Sequence, residues 1–330
     1  MLFSRRQLLG LFIGLGLGAS ALPSSVAKKA RLRIGAISDL NSSYGSTSYI
    51  ESVHKGIRQL IALQPDLIVC AGDMVAGQKR GLTDDQLDAM WSGFNESIVQ
   101  PLQIERIPLL PALGNHDASP DFPTDQEAVR RFWTPIRSQL GLQFLDASRF
   151  PFRYTVLQDG VFWLVWDASS AHISSEDVTW TRHQLKSSEA VKADARFVVG
   201  HLPIVAVSKG KDRPGEVLSR WSSLKHLMVN SKVQAYISGH HHAWFSSRLD
   251  DLDLIQLGAL GSGPRSLLHG GPRPQQTYTL LDIDLQRYSL TETTYVVSTG
   301  QQLSWTSVPT ELVTRRGILR RNLPTRSLLG

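Results

Sequence analysis

Five stretches of the chain carry residues that could bind a metal or move a proton: Asp39-Leu40-Asn41, Gly72-Asp73, Gly114-Asn115-His116-Asp117, His201 and Gly239-His240-His241-His242. They offer carboxylates, amide oxygens and imidazoles, and no thiolate. Such donors suit borderline or hard cations such as Mn, Fe or Zn. One stretch of this kind is often only a capped turn, with Asn and Asp bonding their own backbone. Together the residues outnumber what one tetrahedral ion needs. Two ions ~3.5–4 Å apart with a shared carboxylate would use them well and could clamp an in-line displacement.

What could gather them is the alternation of the chain. Each stretch ends an apolar, strand-like run, at residues 32–37, 67–71, 107–112, 196–200 and 233–237. Between the first two runs, residues 49–63 have helical spacing (Ile50, Val53, Ile57, Leu60, Ile61), so strand, helix, strand reads as a parallel unit. Residues 83–103 form a second helix, with Thr83 as N-cap before Asp84 and Asp85. Residues 153–157 and 161–166 read as a hairpin over Gln158-Asp159-Gly160. Helices are expected at 175–187 and 216–228, and strands at 252–257 and through 277–297, the last an antiparallel pair. In open α/β sheets ligands gather at the carboxyl ends of strands, so an α/β fold would bring the five stretches together.

Two segments stand outside this pattern. Residues 118–152 hold a loop (119–124) and an amphipathic helix (125–140) with Phe132 and Trp133, which reads either as a surface excursion or as a rim that helps to select substrate. The last stretch carries Arg315, Arg316, Arg320, Arg321 and Arg326. An exposed helix or frayed terminus is the plainer meaning, contact with membrane phosphates the alternative. No repeat or linker marks a second domain, and residues 28–330 read as one.

The 330 residues are 42% hydrophobic and 19% charged, which excludes a disordered or fibrous chain. At the start, Ser4-Arg5-Arg6-Gln7-Leu8-Leu9 leads into an apolar, Gly-rich run of 15 residues ending at Leu22, then Ser25-Val26-Ala27. A basic start, a short apolar segment and small residues describe a signal peptide over 1–27. The run is short for a membrane span, which needs about 20 residues. The paired arginines resemble the twin-arginine export signal of bacteria, a route that carries folded proteins, so a periplasmic or extracellular location is expected. Cys70 is the single cysteine, which excludes an intramolecular disulfide, and its apolar run makes it a buried thiol. The net charge of +6 suits an anionic substrate. No basic stripe interleaved with aromatics argues for nucleic acid.

The five motifs, in this order, resemble those of the calcineurin-like metallophosphoesterases. The resemblance spans about residues 32–265. It implies a four-layer αββα sandwich with a dimetal site at one edge. Carried over, Asp39 and His242 would hold the first metal, with Asp73 bridging both. Asn115, His201 and His240 would hold the second. His116 matches the family's non-ligand histidine, which contacts the scissile phosphate and protonates the leaving oxygen, and Asp117 is placed to orient it. The mechanism implied is direct attack on phosphorus by a hydroxide held between two divalent or trivalent ions (Mn, Fe or Zn), on a small phosphorylated substrate. One position departs. The family usually has Asp-x-His in the first motif, and here Asn41 stands in the His position, a shorter and weaker donor. His241, between two expected ligands, should point away from them, as a structural or an exposed residue.

Other hydrolase classes fit less well. The His-x-His-x-Asp-His pattern of metallo-β-lactamases fails at Ala243-Trp244, and no Gly-x-Ser-x-Gly elbow offers a serine nucleophile. The remaining alternative is an exported binding protein on the same fold, without catalysis. Asn41 favours it, and the other six motif residues oppose it.

Overall fold

The computed structural model describes residues 29–261 and 263–329. The leader expected at 1–27 lies outside the described residues. Two mixed sheets stack face to face. The seven-stranded sheet runs Gln301–Gln302, Ser289–Val296, Thr277–Asp284, Arg31–Ile37, Leu67–Cys70, Leu109–Pro111, with Thr325–Ser327 also paired to Ser289–Val296. The nine-stranded sheet runs Glu311–Thr314, Gly317–Arg321, Phe245–Leu249, Leu252–Gln256, Ala235–Ser238, Ala195–Val199, Val161–Val165, Arg153–Gln158, Phe144–Arg149.

Each sheet has a parallel part, at one side of the seven-stranded sheet and in the middle of the nine-stranded one. Arg31–Ile37, Leu67–Cys70 and Leu109–Pro111 pair in parallel. So do Val161–Val165, Ala195–Val199, Ala235–Ser238 and Leu252–Gln256. These strands are covered on both faces, which is why they read as unbroken apolar runs. Ile34, Val69 and Leu110 point inward against Trp163, Phe197 and Ile237 of the other sheet. Their neighbours point outward, Ile68 under a helical layer with Ile57, Leu60 and Trp91, and Val198 under one with Leu185 and Met228. The result is the expected αββα sandwich. Burying each large side chain contributes roughly 1.5–3 kcal/mol before entropy is counted.

The helices follow their sequence signals with instructive exceptions. Helix Glu51–Ala62 buries Val53, Gly56, Ile57 and Leu60. Thr83 caps Asp84–Phe94 through a capping box with Gln86. The single helix expected to 103 is instead widened at Asn95–Val99, where the Gln100 N–H reaches back to Asn95, and resumes as Gln100–Ile104. Pro101 has no N–H to donate, so the ladder shifts by a residue just before it. Helix Pro123–Ile136 packs Phe132 against Trp91 at 4.9 Å and Trp133 against Phe94 at 5.8 Å, inside the outer core.

Three expectations are corrected. The helix expected at 216–228 is Trp221–Asn230, and Arg220, with φ 53°, turns the chain into it. Strands Phe144–Arg149 and Phe245–Leu249 were not foreseen. The C-terminal arginines lie on neither a helix nor a frayed end: Arg315 and Arg316 form the turn between strands Glu311–Thr314 and Gly317–Arg321, Arg320 and Arg321 lie on the second of these, and Arg326 lies on Thr325–Ser327. Arg321 Nη1 donates to the Val308 carbonyl at 2.7 Å. Arg326 bridges the sheets: its Nε donates to Asp253 at 2.6 Å and its Nη2 to Glu292 at 3.0 Å. Glu292 is buried and also accepts from Trp244 Nε1 and Ser246 Oγ. Among the described residues no helix is long and apolar enough to cross a membrane.

Candidate metal centre

The ligand-type residues sit just beyond the ends of the parallel strands, where the backbone turns sharply. Asp39 (φ 54°), Asp73 (φ 54°), His240 (φ 67°) and His242 (φ 52°) all occupy the left-handed region. That conformation costs of order 1–3 kcal/mol per residue, and such strain gathers at functional sites. The glycines before the ligands permit the close approach. A Cβ on Gly72 would stand 2.6 Å from His201 Nδ1 and 2.8 Å from the Gly114 nitrogen. One on Gly114 would overlap the Asp73 carboxylate.

Two donor sets form around one shared carboxylate. Asp73, His201 and His240 make one, and Asp39, Asp73 and His242 the other, with the ligand atoms of each set within 4.8 Å of one another. His201 Nε2 is 3.2 Å from Asp73 Oδ2 and 3.2 Å from Asn115 Oδ1. Its Nδ1 donates to the Ala71 carbonyl at 2.7 Å, which fixes the tautomer and leaves Nε2 for a cation. His242 repeats the device, with Nδ1 to the Gly263 carbonyl at 3.0 Å and Nε2 at 3.2 Å from Asp39 Oδ1. Asn41 lies beside this second set, because its N–H donates to the Asp73 carbonyl at 3.1 Å. Its Oδ1 is buried and has no hydrogen-bond partner. An orphaned amide oxygen is costly unless something electropositive faces it.

The electrostatics also suit cations. Burial opposes charge on Asp39 and Asp73, yet the imidazoles beside them hold both below the usual carboxylate range. Burial likewise works against a charged His201, but Asp73 prevails and pushes it up to about 9. His242 is raised in the same contest by Asp39. His240 goes the other way, down to about 4, because burial outweighs its carboxylate contact. Two buried carboxylates thus draw protons onto their imidazoles, and divalent cations would take the place of those protons. The donor chemistry of both groups fits metal binding.

His116 stands apart from both sets. Its backbone N–H donates to Asp73 Oδ1 at 2.9 Å, and its ring Nε2 is 3.9 Å from Asp73 Oδ2. Nδ1 faces the Gly77 carbonyl at 3.3 Å, and the ring lies 5.0 Å from exposed Tyr44. Asp117, expected to orient this ring, does something else. It is buried and accepts from the N–H groups of Met74, Val75 and Gly114, holding the two loops together. Burial and then the Asp73 charge push its carboxyl up to about 7 against those donors. The orienting group for His116 is therefore Gly77, and the carboxylate was misread because its partners are backbone groups.

His241 is structural. It is fully buried, accepts from the Val207 N–H at 3.2 Å and bonds the Glu216 carbonyl at 3.0 Å. Glu216 is the residue missed from sequence. Its Oε2 lies 2.8 Å from His240 Nε2. Pro214-Gly215 just before it marks a loop, and that signal opposed starting a helix there. Asp73, Asn115, His116, Glu216, His240 and His242 line a cleft of about 630 Å³, together with Gln78, Ser119, Asp121 and Arg265.

Solved structures are similar to this chain. GAP50, described as the anchor in the inner membrane complex of Plasmodium, aligns with a TM-score of 0.55 at 14% identity, covering 84% of this chain and 88% of that chain. Yfce, a phosphoesterase from E. coli, aligns with a TM-score of 0.38 at 11% identity, covering 84% of this chain and 100% of that chain. No curated protein matches the chain. A family profile described as calcineurin-like phosphoesterase matches residues 32–244, from the first parallel strand to just past His242. With the profile covering well over half its length, the chain belongs to the calcineurin-like phosphoesterase family.

Proposed function

We propose that this protein hydrolyses phosphate esters with two divalent or trivalent cations, Mn, Fe or Zn, held on either side of Asp73. The observation that carries the reading is the sharing of that one buried carboxylate by two donor sets. When bound, such a pair supplies a nucleophile from water at moderate pH and neutralises the phosphoryl oxygens. Asp39, Asn41 and His242 would hold one ion and Asn115, His201 and His240 the other. With Nδ1 turned to Gly77, His116 Nε2 is the atom that can carry a proton to the leaving oxygen. The products are then an alcohol and phosphate, or a phosphomonoester from a diester.

The fold alone does not assign this activity, since GAP50 shares it and is described as an anchor. The paired donor sets, with His116 standing beside them and outside both, are what favour catalysis over simple binding. Export is supported by Ser4-Arg5-Arg6 ahead of the apolar run, and the twin-arginine route would carry the folded, metal-loaded chain out. The test is turnover of nitrophenyl phosphate against bis-nitrophenyl phosphate, with Mn, Fe and Zn added singly and cation content measured alongside. Cation uptake without turnover of either ester would overturn the enzyme and leave a binding protein.

A further inference from the structure

We propose that Glu216 is a positioning residue for this centre: it fixes the His240 imidazole from behind and ties it to the loop that forms the basic wall of the cleft. The proposal rests on the dimetal reading above. Among the three ligand imidazoles, two are oriented by backbone carbonyls, those of Ala71 and Gly263. His240 alone is oriented by a carboxylate, Glu216 Oε2 at 2.8 Å from Nε2. A carboxylate makes an imidazole more electron-rich than a carbonyl does, and it fixes the ring with Nδ1 left for a cation.

The same carboxylate is gripped from the other side. Lys211 Nζ lies 2.6 Å from Oε2, and Arg213 Nη2 lies 2.8 Å from Oε1. The Glu216 backbone is held too, because His241 accepts from Val207 and so donates its Nε2 proton to the Glu216 carbonyl. Adjacent histidines therefore hold one residue by its side chain and by its main chain. Lys211, Arg213, Pro214 and Gly215 line the cleft beside it. A cation bound at His240 and an anion bound against this wall would thus be coupled through one carboxylate.

The experiment is calorimetric titration of Mn or Zn into metal-stripped full-length protein carrying E216A, E216Q or Lys211→Met. Glu216→Ala should weaken one of the two cations by ~10–100-fold and spare the other. Glu216→Gln keeps an oxygen for His240 and should restore most of that affinity. Lys211→Met should spare the cation away from His240, shift the affinity of the one at His240 by less than Glu216→Ala does, and raise KM for nitrophenyl phosphate about 2- to 5-fold, the scale of a half-screened ion pair. Should wild type bind two cations and E216A bind both as tightly, Glu216 has no positioning role. Equal weakening in E216A and E216Q would also overturn the proposal. Wild type that binds no cation at all would instead fail the dimetal reading itself.

Discussion

Asp39, Asn41, Asp73, Asn115 and His116 all follow strands of the seven-stranded sheet, whereas His201, His240 and His242 follow strands of the nine-stranded one. One sheet therefore contributes the carboxylates and amides, and the other most of the imidazoles. The acidic half is rigid and closely packed: its two carboxylates are buried, and its turns interlock through Asp117 and the backbone. The imidazole half is held by longer loops, with Glu216 of the 208–220 segment on His240 and His241 and the Gly263 carbonyl on His242. Neither half could keep its groups alone. Buried carboxylates without partners would protonate, and the imidazoles would lose the charge that aims them. The comparison teaches that charge is set by one sheet and tuning by the other.

The largest expected effect comes from breaking the acidic half at the residue both sets share. Asp73→Asn keeps the shape and removes the charge. Both cations should be lost, and turnover should fall on the order of 10³-fold or more if their several kcal/mol of stabilisation go with them. Elemental analysis after desalting checks this, and two ions retained would sink the shared-carboxylate reading. His116→Ala comes next, because that ring lies on the acidic side without belonging to a donor set. Metal content should hold, while turnover drops ~10²–10⁴-fold for an alkyl phosphate and less for nitrophenyl phosphate, whose leaving group needs no proton. Equal losses on both esters would leave it only a phosphate contact. The smallest effect probes the one amide that stands where an imidazole is expected. Affinity at the Asp39 site should rise in the order Asn41→Ala, wild type, Asn41→His, since imidazole outranks an amide oxygen for Mn, Fe or Zn. Wild type with two equally tight ions would show that Asn41 Oδ1 already coordinates as well as a ring nitrogen.

Much of this was legible in the residues. Strands covered on both faces must be apolar throughout, so each run broke visibly where it met Gly and a polar ligand. The antiparallel pair Thr277–Asp284 and Ser289–Val296 showed through its alternation. What stayed hidden depends on partners distant in sequence. Glu216 looks like an ordinary helix start until folding places it 2.8 Å from His240. Asp117 sits beside His116 in sequence, yet its carboxylate accepts from the N–H groups of Met74 and Val75, 43 and 42 residues away. Strand Phe144–Arg149 is an edge with little burial and a broken register, so it left no periodic trace. The C-terminal strands are arginine-rich, and only their acceptors in both sheets give those charges a reason to be there.

The Glu292–Arg326 contact has a mechanical meaning for the centre. Residues 311–327 add two strands to one sheet and one to the other, and Arg326 clamps Asp253 of the first to Glu292 of the second. Glu292 also holds the indole of Trp244, two residues past His242. The alignment of the two donor halves is thus set partly by a hasp at the far end of the sequence. Loosening that hasp would let the leaves of the sandwich slide, and the slack would be felt first where the Asp73 carboxylate of one sheet must meet the imidazoles of the other.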